Sequence, residues 1–249
     1  MTKFDRIFAD SKEFIPRLRF EDADANLRYF NTPYSEQVSL IEALDDPVVK
    51  TVVVLKPRQI GITTANCAHT FWATYVANKP LRTIVVADHN KTTKSIFKKF
   101  CTYYNHLPKV LKDSNPFRMN QNEKTLMSER TDAMIDHMTA RGDTHGRGWT
   151  YQRFVAEELA FWPHPEEVWA GIRSTLHGGD DSKIIVVSTP NGPGNFYHER
   201  VLAAQAAERN GDPSTKFIFS RWSDHSTYRA DPPQGWEPTE EEYQLSRQF

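Results

Sequence analysis

Residues 51–64, TVVVLKPRQIGITT, constrain the fold more than any other stretch. Val52–Leu55 is an apolar run without alternation, which reads as a strand buried on both faces. Polar turn sequence follows, and Thr63–Val76 then carries a helical pattern. A strand, a tight turn and a helix N-terminus in succession aim backbone N–H groups at one point, which is how a phosphate-binding loop is built. Such a loop also needs a cation for the β- and γ-phosphates and a hydroxyl for Mg2+, in the pattern G-x-x-x-x-G-K-[ST]. Gly61 fills the second glycine position and Thr63 the hydroxyl position, whereas Ile62 stands where lysine is usual and Lys56 where the first glycine is usual. The loop keeps a lysine, but at its entrance, from which a long side chain can fold back over the phosphates. Arg58 adds a second cation able to stabilise charge developing on the γ-phosphate. Taken alone, the stretch is equally an ordinary strand–turn–helix with a capping threonine and a surface Lys/Arg pair.

The rest of the chain continues the alternation. Thr83–Ala87, Asp132–Met138, Phe154–Ala156, Lys183–Ser188 and Phe217–Phe219 read as strands. Ser35–Leu44, Thr92–Tyr104, Glu166–Leu176 and Phe196–Glu208 read as helices. Apolar strands separated by helices predict an α/β fold with a mostly parallel sheet covered on both faces. Ligands of such sheets bind outside the carboxyl ends of the strands, so the informative residues should directly follow strands. The 249 residues suffice for one large domain or a domain with a small subdomain. Residues 1–33 are expected to be a lead-in with short helical character, 34–223 the domain, and 224–249, rich in Pro, Glu and Gln, a tail or linker.

Charge is balanced, with 31 Lys and Arg against 32 Asp and Glu, which argues neither for nor against nucleic acid. Two cysteines, Cys67 and Cys101, are too few for a disulfide framework and read as small buried hydrophobes. The N-terminus is too charged for a secretory signal. No apolar run approaches the ~20 residues of a membrane span, so a cytosolic protein with no membrane partner is expected.

Two further segments decide the meaning of the loop. Phe154-Val155-Ala156 runs into Glu157-Glu158, two carboxylates at a strand's end. A nucleotide hydrolase needs one carboxylate in the shell of Mg2+ and one to deprotonate the attacking water, roles that fall to Glu157 and Glu158 respectively. The alternative is a solvated acidic pair opening a helix, where acids are favoured anyway. Lys183–Ser188 runs into Thr189-Pro190-Asn191-Gly192. A hydroxyl, a turn and an amide there can sense the γ-phosphate, provided this strand lies beside the other two; otherwise the segment is a simple Pro-Asn-Gly turn.

KPRQIGITT, EELAFW and STPNGPGNFYHE, in that order and spacing, resemble the ATPase domain of the terminase large subunit, the DNA-packaging motor of tailed bacteriophages, over residues 34–222. The resemblance implies a RecA-like P-loop fold of the additional-strand, catalytic-glutamate type, with ATP and Mg2+ as cofactors. It makes Gln37 an adenine-recognising glutamine and Arg58 the arginine of the RQ-x-G segment. Gln59, Gly61 and Thr64 join the nucleotide-binding set, with Thr63 as the magnesium hydroxyl. It assigns Glu157 and Glu158 to the Walker B carboxylates, and Ser188, Thr189, Asn191 and Gly192 to the motif coupling hydrolysis to movement. Arg141 or Arg147, around the GDTHGRG loop, becomes the candidate arginine that completes a neighbour's site in a ring. His145 in that loop has no spaced partner and is given no metal-binding role. The implied partners are double-stranded DNA, a portal protein, the terminase small subunit and further copies assembled on a procapsid, in the host cytoplasm. The family's nuclease half would lie beyond residue 249, so ATPase and motor function without cleavage are expected. The sequence departs from the family pattern at Ile62, where lysine is common, and at Glu157, where aspartate is usual.

Two other readings stand beside this one. A helicase-like ATPase combines the same elements but needs a second RecA-like domain. A non-catalytic nucleotide-binding scaffold is suggested by Ile62. Lys91, Lys94, Lys98 and Lys99 lie close in sequence as a possible DNA-facing stripe or a solvated helix face.

Overall fold

The computed structural model describes residues 8–31, 33–141, 149–225, 228 and 231–246. The chain enters through α1 (Ser11–Phe14) and the hairpin β1 (Arg19–Glu21) and β2 (Leu27–Tyr29), then α2 (Ser35–Asp45). β3 (Thr51–Leu55), α3 (Ile62–Val76), β4 (Arg82–Ala87) and α4 (Asn90–Asn105) form the first strand–helix repeats. A short α5 (Lys109–Ser114) leads into β5 (Phe117–Asn120), β6 (Thr125–Ser128) and β7 (Met134–Thr139). β8 (Arg153–Glu157), α6 (Pro165–Arg173), β9 (Lys183–Ser188), α7 (Phe196–Arg209) and β10 (Thr215–Phe219) complete the domain, and α8 (Glu240–Ser246) lies in the tail.

Among the described residues, eight strands form one sheet in the order β10-β3-β9-β8-β4-β7-β6-β5. Pairing is parallel from β10 through β7 and antiparallel only where β6 and β5 extend the sheet beyond β7. The predicted parallel sheet is therefore present. The β5–β6 and β1–β2 hairpins lie outside the strands read from the sequence, because segments as short as FRMN and RFE alternate over too few residues to stand out. β9 is paired on one side with β3 and on the other with β8, the arrangement that the phosphate-sensing reading of its C-terminal turn requires.

Burial explains the layering. Val52, Val53 and Val54 are all buried, so β3 is covered on both faces. Fully burying each such side chain contributes about 1.5–3 kcal/mol. On one face Val52, Val54, Val85, Val155 and Ile185 pack with Ala68 and Phe71 of α3; on the other, Val53, Ile84, Phe154 and Val186 pack with Val168 of α6 and Val201 of α7. Within the lead-in, the described residues 8–31 are helical at 8–9, in Ser11–Phe14 and in a 3-10 turn at Ile15–Arg17, before the β1–β2 hairpin. They send Phe14, Ile15, Leu18 and Phe30 into the core around α3. Cys67 and Cys101 are free and buried, as expected. After β10 the chain returns to α2: Ser220 Oγ donates to Glu36 at 3.2 Å, and His225 Nε2 lies 2.9 Å from Ser220 Oγ and 3.4 Å from Glu36.

Two histidines are buried uncharged. His69 Nε2 meets Asp45 at 3.0 Å, and His137 Nδ1 meets the Lys124 carbonyl at 2.7 Å. Burial lowers both imidazoles to about 4, against an ordinary 6.5. The unfolded chain therefore binds more protons than the folded one between pH 6.5 and 4. Stability is full above pH 6.5 and falls through that window as pH drops, by about 1.4 kcal/mol per pH unit for each histidine. Urea unfolding midpoints measured from pH 7 to pH 4 should show this loss, and His137→Leu should make the dependence shallower.

Candidate functional site

β3 ends at Leu55, in register with Ser188 of β9, and Glu157 of β8 is in register with Val187. Lys56, Ser188 and Glu158 thus leave three adjacent parallel strands at nearly one level. The chain turns out of β8 at Glu158 with a left-handed φ of 56°, while its N–H still donates to Val187 O at 2.7 Å. Such a conformation is costly for a residue with a side chain and marks an over-determined position.

The two glutamates sit in different environments. Glu158 Oε1 accepts from Lys56 Nζ at 3.0 Å, and its Oε2 accepts from Thr189 N at 3.1 Å and Thr189 Oγ1 at 3.0 Å. Ser188 Oγ approaches the same oxygen at 3.4 Å. Burial works against ionising Glu158, but Lys56 and the Thr189 donors outweigh it and hold the carboxyl below its ordinary value. Glu157 is 1% exposed; its Oε2 accepts from Thr63 Oγ1 at 3.0 Å and its Oε1 from Asn66 Nδ2 at 3.1 Å. Burial pushes its carboxyl up to about 7, against the opposing effects of Lys56, Asn66 and Thr63.

The loop itself is shaped by Gly61, at φ 70° as the residue before α3, and by Gln59, at φ 59°. A Cβ at Gly61 would lie 2.5 Å from Gln37 Nε2. Gln37 is buried because it buttresses this loop: its Nε2 donates to Ile60 O at 2.9 Å, and its Oε1 accepts from Tyr34 N at 3.2 Å. One amide hydrogen and one oxygen lone pair remain for a base. Ile60 and Ile62, both 1% exposed, anchor the loop to the core, which accounts for an apolar residue where lysine is usual.

A cleft of about 780 Å³ runs from this loop to the β1–β2 hairpin. Gln37, Lys56, Gln59, Gly61, Thr63 and Thr64 line it, with Tyr34 and Lys99. Sequence-predicted residues from β3, α2 and α3 thus converge on one space. Arg58 is exposed and is not among the residues lining the cleft. Asn191 Nδ2 donates to Ala160 O at 3.1 Å, and Asn195 Nδ2 closes the turn on the Asn191 and Gly192 carbonyls at 2.9 and 3.0 Å. The Ser188–Gly192 turn is therefore tied to the segment that carries Glu158. Arg141 is exposed, and Arg147 and His145 lie outside the described residues. The lysine stripe on α4 is broken, since Lys98 pairs with Glu21 and Lys99 faces the cleft. Asn66 was missed by the sequence reading, although its spacing of three from Thr63 places both on one helix face.

The family model for the phage terminase large subunit gpA, ATPase domain, matches residues 23–213. The fold is similar to the large terminase ATPase domain of Thermus phage P74-26, with a TM-score of 0.63 and 18% identity over 78% of this chain and 82% of that one. It is also similar to the HK97 bacteriophage large terminase, with a TM-score of 0.67 and 15% identity over 91% of this chain and 46% of that one. The large terminase of a thermophilic bacteriophage in complex with ATP-gamma-S matches with a TM-score of 0.52 and 12% identity, over 79% of this chain and 46% of that one. The chain thus spans about half the length of these last two proteins. No curated protein matches its sequence.

The geometry of Gly61 predicts that Gly61→Ala strains the loop twice, through its left-handed backbone and through collision with Gln37. The backbone term alone is about 1–2 kcal/mol. Titration with a fluorescent nucleotide should show at least a tenfold loss of affinity, while an alanine at exposed Gly178 leaves affinity unchanged.

Proposed function

The chain belongs to the phage terminase large subunit gpA ATPase domain family, and on that premise we propose that it is the motor domain that uses ATP hydrolysis to drive double-stranded DNA into a procapsid. The observation that carries the reading is the pair of contacts Thr63–Glu157 and Lys56–Glu158, at the carboxyl ends of β3 and β8 on either side of β9 and beside an open cleft. A nucleotide in that cleft meets the N-terminus of α3 with its phosphates, where backbone N–H groups favour an anion.

Thr63 and Glu157 offer hard oxygen donors of the kind Mg2+ takes, so these residues fit the ion and would hold it, directly or through water. When bound, it neutralises charge on the β- and γ-phosphates. Lys56 reaches Glu158 from the loop's entrance, which supports a catalytic reading over the scaffold one. Before nucleotide arrives, Lys56 neutralises Glu158. Phosphate oxygens compete for the same ammonium, and its transfer to them frees the Glu158 carboxylate to take a proton from the attacking water. Thr189 and Ser188, which hold Glu158, are the residues through which the state of the site reaches the turn after β9. Gln37 acts on the nucleotide through the loop it buttresses and with the donor and acceptor capacity it retains.

We extend the reading to assembly on the family's pattern. The domain works in a ring on the procapsid, with portal protein and small subunit as partners in the host cytoplasm. Arg58 acts at the γ-phosphate once the loop closes on nucleotide, and Arg141 or Arg147 serves a neighbouring site. Residues 34–223 form the ATPase unit, with 1–33 leading in and 224–249 connecting to a nuclease domain.

Glu158→Gln tests the chemistry. Phosphate release should fall by a factor of about 10²–10⁴, the usual worth of a general base. ATP affinity should hold or rise, because Lys56 loses its carboxylate competitor. Unchanged turnover in a ring-forming preparation would remove Glu158 from the role. Lys56→Ala should instead weaken ATP binding itself.

A further inference from the structure

Glu157 occupies a position where aspartate is usual, and its side chain has one more rotatable bond. Each additional free torsion spreads the carboxylate over more positions, and fixing it costs side-chain entropy. In this chain both oxygens are pinned. Thr63 Oγ1 donates to Oε2 at 3.0 Å, and Asn66 Nδ2 donates to Oε1 at 3.1 Å. The donors are three residues apart at the start of α3, so they share one face and grip the carboxylate from one rigid element. Asn66 is itself 1% exposed, and its Oδ1 is buried without a hydrogen-bond partner. The amide thus leaves its own acceptor unsatisfied while giving its donor to Glu157. With the amide turned the other way, an oxygen would face the carboxylate, so the contact itself fixes the amide's orientation.

We propose that Asn66 is a positioning residue: it locks the longer arm of Glu157 against Thr63, so that the hydroxyl–carboxylate pair is already formed when the Mg2+ of the nucleotide arrives. The inference rests on the assignment of Thr63 and Glu157 to the metal-holding pair. Asn66 touches neither the phosphates nor the attacking water in this role; it acts through Glu157. A packing role alone would affect nucleotide binding with and without Mg2+ alike, whereas positioning of Glu157 affects only the Mg2+-dependent part.

The experiment is equilibrium binding of ATP, in excess Mg2+ and again in EDTA, to the wild-type chain and to Asn66→Ala, Asn66→Asp, Glu157→Ala and Glu157→Asp, with thermal melting recorded for each. Asn66→Ala should weaken binding about tenfold in Mg2+, the worth of one charge-assisted hydrogen bond, and leave binding in EDTA unchanged. Asn66→Asp, which keeps the shape but sets a second carboxylate against Glu157, should weaken it further. Adding Asn66→Ala to Glu157→Ala should cost nothing more, because the two act as one unit. Adding it to Glu157→Asp, whose arm no longer reaches Asn66, should also have little effect and avoids dependence on any single variant's folding. If Glu157→Ala weakens Mg2+-dependent binding and Asn66→Ala does not, or if Asn66→Ala weakens both conditions equally, the role of Asn66 is overturned while the site stands. If Glu157→Ala itself leaves Mg2+-dependent binding intact, the metal assignment and the inference fall together.

Discussion

The hydrogen-bonded ladder through β9 sets the dimensions of the site. β9 separates the strand that leads into the Lys56–Gly61 loop from the strand that ends in the two glutamates. Neighbouring strands lie about 4.8 Å apart, so the ends of β3 and β8 are held roughly 10 Å apart across one intervening strand. Short side chains cannot close that gap. Lys56 crosses it with a long flexible arm, and Glu157, longer than an aspartate, reaches α3 from the far side. The two departures from the usual pattern, a lysine at the loop's entrance and a glutamate at position 157, are thus both changes toward greater reach.

The ion pair between Lys56 and Glu158 has a second consequence. Two adjacent carboxylates at the end of one buried strand are electrostatically unfavourable, and a single ammonium serves both. It is hydrogen-bonded to Glu158, and its field also favours the charged form of Glu157. The buried pair is weak evidence for stability, since desolvation offsets much of the attraction. On the proposed function, its value is that the cation is exchangeable: a triphosphate in the cleft would draw the same ammonium that holds Glu158, which ties occupancy of the cleft to the state of that carboxylate.

The sequence makes the sheet legible because its strands are continuous apolar runs, a pattern that survives without knowledge of tertiary contacts. Thr51–Leu55 and Lys183–Ser188 fall where Val52–Leu55 and KIIVVS place them. The hairpins are illegible for other reasons: Leu27–Tyr29 is exposed throughout, so burial leaves no periodicity to read, and the alternation of Thr125–Ser128 spans only four residues. Lys56, Glu157 and Glu158 stand out by residue type at strand ends, and Thr63 by its place at the start of the helix that follows. Asn66 is not, because an asparagine inside a helix acquires meaning only from the carboxylate it faces. The buttressing of the loop by Gln37 is hidden likewise, since the contact to Ile60 spans 23 positions in sequence and depends on how α2 lies across the loop.

α2 carries Glu36 and Gln37 side by side. The first accepts from the Ser220 hydroxyl and lies close to His225, beyond the last strand, and the second donates to the carbonyl of Ile60 in the loop after β3. A helix turn is stiff on the scale of these contacts, so the two attachments behave as the ends of a short strut. The loop after β3 and the chain that leaves the sheet at residue 220 are therefore both fastened to one turn of α2, so that the centre of the sheet and its edge share a single point of support.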